Sequence, residues 1–107
     1  MATFKPPKGV QDAAKRAVQW IKEGKAGSGF TSVGRARAWQ LSEGASVSDA
    51  TIKRMRSYFA RHEVDKQATG FKSGEEGFPT PGRVAWDAWG GDAGKSWANS
   101  VNLESDK

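Results

Sequence analysis

Glycine and proline set the limits of every regular element this chain can form. Pro6, Pro7 and Gly9 precede the first uninterrupted run, Gly24 ends it, Gly44 closes the next, and Gly90 with Gly91 break the last third. Residues 66–82, "KQATGFKSGEEGFPTPG", hold four glycines and two prolines. Such residues stop helices, and the segments between them keep helical rather than strand-like spacing of apolar side chains. No internal repeat or heptad is visible. The expected architecture is therefore all-α: a compact bundle of about five short helices, with a helix-turn-helix-like pair and one long Gly/Pro loop. At 107 residues the chain is expected to form a single domain over 1–107 with its own core and with frayed ends at 1–5 and 102–107.

In "VQDAAKRAVQWIKEG" helical spacing gathers Val10, Ala13, Ala14, Ala17 and Ile21 on one side and sets Asp12, Lys15, Arg16, Gln19 and Lys22 opposite. Thr31 or Ser32 can cap the next helix, "SVGRARAWQLSEG", whose alanines and Gly34 suit close packing on more than one side. The third segment, "VSDATIKRMRSYFARHEVD", is the best marked. Ser48 is a natural N-cap, Asp49 complements the positive helix end, Val47 and Ile52 form a hydrophobic staple, and Ile52, Met55 and Phe59 follow one face. After the long loop, which Phe71 and Phe78 are placed to pin, Thr80 and Pro81 read as N-cap and first residue of a buried fourth helix. Asp92 is then expected to cap a fifth helix carrying Ala93, Trp97 and Val101.

The net charge is +5, and it is uneven: residues 1–70 hold thirteen Lys/Arg against six Asp/Glu, residues 71–107 four against six. A basic surface in the first two thirds favours nucleic acid or another polyanion as partner, although a modest positive charge also keeps a small protein soluble. The chain has no cysteine, which excludes disulfide and thiolate chemistry. The start, "MATFKPPKGV", shows no export signal, and no segment approaches the roughly 20 apolar residues that span a bilayer. A soluble protein without membrane contact is expected.

The one histidine, His62, stands beside Glu63 and Asp65, but Lys66 occupies the position where a helical zinc site wants its second histidine. A half-buried histidine paired with a carboxylate is the expected role. No serine sits in a recognisable nucleophile context. The chain reads as a non-enzyme, with no catalytic residue, no cofactor and no metal.

The pair of helices over 31–62 carries the strongest functional pattern. "AWQLSEGASVSDATIKRM" is similar to helix-turn-helix DNA readers whose recognition helix opens V-S-x-x-T-I. The expected contacts to duplex DNA are Arg35, Arg37, Lys53, Arg54, Ser57 and Arg61, with Arg54 at a guanine edge or a phosphate and Lys53 and Arg61 at phosphates. Against this, Asp49 stands where a phosphate would bind, and the turn is about two residues longer than in compact units of this kind. The plainer reading is a well-capped core helix with a solvated basic face. A protein–protein module using the loop 66–82, with Glu75 and Glu76 exposed, is the alternative from a different class.

"WGGDAGKS", residues 89–96, resembles a phosphate-binding loop in writing only. Trp89 stands where that loop needs its first glycine, and too little chain follows for the strand that supplies a magnesium ligand. It is expected to be a helix-to-helix corner, with Gly90 and Gly91 reversing the chain and Gly94 allowing a close approach. The five tryptophans suit base stacking, but three lie in the acidic last third, and core packing is the preferred reading.

From Phe4 to Val101 the blocks "FKPPKGV", "GSGFTSVGRARAWQL", "VSDATIKRMRSYFARHEVD" and "GEEGFPTPGRVAWDAWGGDAGKSWA" resemble a small family encoded by tailed bacteriophages and prophages. That family is met as short stand-alone proteins and as a module beside head-morphogenesis and other virion proteins. The resemblance implies a phage accessory protein without catalytic activity. It would act in the host cytoplasm or be packaged in the virion. The resemblance does not itself imply DNA binding: duplex DNA is the partner expected from the helix pair, and a host or virion protein is the alternative.

Overall fold

The computed structural model describes residues 3–103. In chain order these form a two-residue strand β1 (Thr3–Phe4), α1 (Lys8–Lys22), α2 (Ser32–Ser42), a second short strand β2 (Val47–Ser48), α3 (Asp49–His62), a 3-10 turn (Glu63–Gln67), α4 (Pro81–Ala88) and α5 (Gly91–Ser100). The five expected helices are present, packed into one compact, mostly helical body.

Helix α1 is the central element, and its small-residue face explains why. Val10, Ala13, Ala14, Ala17 and Ile21 are buried, and three alanines in that stripe let α2, α4 and α5 all approach it. Helix α2 packs on α1 and α4, as its own small residues Gly34 and Ala38 allow. Helix α3 packs on α5 and buries Ile52, Met55 and Phe59 together with Thr51 and Tyr58. The caps stand where the side chains suggested. The hydroxyl oxygens of Thr31, Ser48 and Thr80 accept from the N–H groups of Gly34, Thr51 and Arg83, each contribution being worth about 1 kcal/mol.

Three expectations need correction. Thr3 and Phe4 are not frayed: they pair antiparallel with Ser48 and Val47, so the chain's start is clipped to the entry of α3. Leu103 is also fixed, being 2% exposed in the core; Lys5 and Asn102 are exposed, and residues 1–2 and 104–107 of the two end segments lie outside the described residues. Asp92 does not cap α5, because the helix begins two residues earlier than such a cap would set it, at Gly91 with Gly90 at its N-cap. Its carboxylate instead accepts from the indole N–H of Trp86 at 3.1 Å and pairs with Lys66 at 2.8 Å. Asp87 on the buried α4 is itself buried, with Arg16 at 3.2 Å and Arg83 at 3.4 Å on one carboxylate oxygen. Burial pushes its pKa up, against the pull of the two guanidinium groups.

The long loop is held down by Arg83. Its guanidinium donates to the Phe71 carbonyl at 2.8 Å and lies over the rings of Phe71, Phe78 and Trp20. Phe71 is buried, and Phe78 meets Trp20 edge to face at 5.5 Å, so both phenylalanines pin the loop as their spacing suggested. No helix among the described residues is long and apolar enough to cross a membrane.

Candidate functional site

Helices α2 and α3 are consecutive, but each finds its close partners elsewhere, α2 on α1 and α4 and α3 on α5. Both therefore also border an open cleft of about 1010 Å³. The size is at the upper end of the range found for small-ligand sites.

The cleft has two unlike walls. One is the outward face of α3: the adjacent Lys53 and Arg54, with Ser57 and Arg61 following at steps of three and four residues, all lining the cleft. The other is made by the loop before α2, the first turn of α2, and α4 from its first turn to its C-cap. It offers Phe30, Val33, Ala85 and Trp89 together with several glycines. Val33 is 55% exposed, one of two large apolar side chains so exposed among the described residues. Asp65 is the one carboxylate lining the cleft, and its Oδ2 lies 3.0 Å from His62 Nδ1.

Along the cleft runs a series of flat groups in face contact, His62, Tyr58 and Trp89 lining it. His62 stacks on Tyr58 at 4.5 Å, Tyr58 on Trp89 at 4.9 Å, and the Arg37 guanidinium lies 5.3 Å over Trp89. The Tyr58 hydroxyl and Arg37 Nε are buried with no hydrogen-bond partner among the described residues. Burial, with the charges of Asp65 and Asp87, pushes the Tyr58 pKa up. Burial first, and the nearby positive charge of Arg54 second, pull the Arg37 pKa down.

Of the six residues expected at a nucleic-acid surface, the structure brings Lys53, Arg54, Ser57 and Arg61 together in the cleft. Arg35 is exposed and lies 5.9 Å over the Phe30 ring, one side chain removed from the apolar wall. Arg37 is turned inward onto Trp89 and donates to Gln40. Phe30, Val33, Tyr58 and Trp89 were missed as site residues, because each reads locally as core. Their shared surface exists only once α2, α3 and α4 are assembled.

The "WGGDAGKS" corner is separate from this site except for Trp89. Lys95 Nζ lies 2.9 Å from Glu63 Oε2, so the lysine that a phosphate loop would use is engaged in an ion pair. Comparison with protein-family models, curated proteins and solved structures finds no match for this chain.

Proposed function

We propose that the chain is a phage-encoded, non-enzymatic accessory protein that binds nucleic acid, holding phosphates on the outward face of α3. The observation that carries this is a difference among its cations. Lys8, Arg16, Lys25, Lys66, Arg83 and Lys95 each have a carboxylate within ion-pair distance. Lys53, Arg54 and Arg61, all exposed, have none among the described residues, and unlike Lys15 and Lys22 on α1, which also have none, they line the cleft together. Three unpaired cations on one wall, with the Ser57 hydroxyl among them, form an anion-binding row that does nothing evident for the fold. The resemblance to small phage and prophage proteins supplies the setting, an infected cell or a virion.

Duplex DNA is the first target to test, by fluorescence anisotropy on random-sequence duplex at two salt concentrations. Binding in the micromolar range that weakens steeply with salt supports the proposal. Charge reversal in the double variant Arg54→Glu/Arg61→Glu abolishes that binding while leaving the circular dichroism spectrum intact. Absence of binding to duplex and single strand alike at low salt eliminates it. The remaining reading is then docking on a host or virion protein through the loop 66–82, where Glu76 is exposed.

A further inference from the structure

We infer that the cleft between α2, α3 and α4 takes an unpaired nucleotide of a single strand, its phosphate on α3 and its base against the wall formed by Phe30, Val33, Ala85 and Trp89. The inference rests on the nucleic-acid reading above and narrows it to one class of ligand.

The two walls call for an occupant with two kinds of surface. On the α3 side, Lys53, Arg54 and Arg61 face the single carboxylate of Asp65, which His62 already engages. An anion is therefore complementary to this wall. No charged side chain lines the facing wall, although Arg35 lies over the Phe30 ring and Arg37 over Trp89, and Val33 leaves more than half of its surface in water. An apolar or flat partner covers such a surface with a gain of roughly 25 cal/mol per Å² of apolar area removed from water. A base-paired duplex presents phosphates outside and stacked bases inside, so it offers the second wall nothing flat to receive. An unpaired nucleotide presents a phosphate and a bare π face within a few ångströms of each other.

The backbone around the mouth is consistent with close approach by such a ligand. Gly27, Gly29, Gly34 and Gly82 line it, and a side chain built at Gly29 would meet no atom within 4 Å, which is open space. The first turns of α2 and α4 both border the cleft through Val33 and Gly34 and through Pro81 and Gly82, adding partial positive charge on the wall that no cation lines. The positive charge of Arg54 bears on Arg37, whose Nε is buried with no hydrogen-bond partner among the described residues. A bound phosphate offsets that charge.

The test compares four probes on the full chain by anisotropy and competition at constant low salt: a short oligothymidylate, the same length of duplex, an abasic strand of equal phosphate count, and free thymidine monophosphate. The expected order places the oligothymidylate about tenfold tighter than the duplex or the abasic strand, the difference a stacked base supplies. Val33→Ser, at an exposed position that the fold does not need, and Ala85→Phe, which fills the cleft, bring the oligothymidylate down to the abasic level and leave duplex binding unchanged. Equal affinity for the oligothymidylate and the abasic strand overturns the inference, and so does duplex bound as tightly as single strand. Competition by free monophosphate at equal nucleotide concentration also overturns it, in favour of a free nucleotide. In all three cases the nucleic-acid or anion-binding role of α3 survives. Loss of every probe's binding, or binding indifferent to Arg54→Glu/Arg61→Glu, overturns both readings together.

Discussion

The carboxylate of Glu75 accepts from the N–H groups of Gly70 at 3.0 Å and Lys72 at 3.1 Å, closing a turn in the loop where the sequence offered it as a contact surface. Those two donors hold its pKa below the usual 4.5. A carboxylate whose folded pKa is depressed stabilises the fold above its unfolded pKa, and the contribution is lost as pH falls through the folded value. Glu75→Gln is therefore expected to melt below the wild type at pH 7, with the two curves converging as pH falls from the usual value to below the depressed one. Thermal melts across that range check it, and a gap that persists at the acid end refutes the charge-based account. Single residues also decide the corner at residues 89–96. Gly90 has φ +111° and a Cβ there would lie 2.9 Å from the Gly94 Cα; Gly91 has φ +65° and its Cβ would meet Asp87 Oδ1 at 2.9 Å. Gly90→Ala and Gly91→Ala are each expected to lower stability in urea denaturation by about 1–3 kcal/mol. Lys95→Ala removes only an ion pair open to solvent on both sides, and its denaturation midpoint should stay close to that of the wild type.

At the scale of elements, α3 is joined to the end of α5 by one side chain. Arg56 Nε donates to the Ala98 carbonyl at 2.8 Å and an outer guanidinium nitrogen to the Val101 carbonyl at 2.7 Å, satisfying carbonyls that the last turn of a helix leaves without partners. Arg56→Ala is expected to destabilise the fold by about 2 kcal/mol, the range for hydrogen bonds to a charged group, measured by urea denaturation. An unchanged midpoint would mean that water replaces the guanidinium without loss. Nothing local marks Arg56 for this task, since its neighbours Arg54 and Lys53 have the same chemistry and point outward. What was legible in the sequence was local. Capping hydroxyls at Thr31, Ser48 and Thr80 and the alanine stripe of α1 act through spacings of three and four residues, which a sequence displays directly. What was not legible was tertiary. The pairing of Thr3–Phe4 with Val47–Ser48 joins segments too short to show alternation, and Asp87 is buried because Arg16, 71 positions away, meets it. The candidate site divides the same way. Lys53, Arg54, Ser57 and Arg61 lie on one helix face and could be found by periodicity, whereas Val33 and Trp89 come from α2 and the end of α4 and share a wall only after folding.

For the whole molecule, the question is whether binding uses the net charge of +5 or a particular part of it. Most of the cations with carboxylate partners are already neutralised locally, so the field of the protein is set by those left over. Among the leftover cations, Lys53, Arg54 and Arg61 are concentrated on one wall of a concave surface, whose geometry focuses their field, while Lys15 and Lys22 stand on α1 and do not line it. Counterion release turns this into a measurable slope. Each phosphate neutralised on a single strand contributes about −0.7 to the dependence of log K on log salt concentration. Three cleft cations acting on three phosphates give a slope of about −2, and Arg54→Ala or Arg61→Ala alone should make it shallower by about 0.7. Lys15→Ala and Lys22→Ala carry the same change in net charge and should leave the slope where it was. If all four substitutions flatten it equally, the strand is held by diffuse surface charge. The cleft then has no privileged place in binding, however well its walls are matched to a nucleotide.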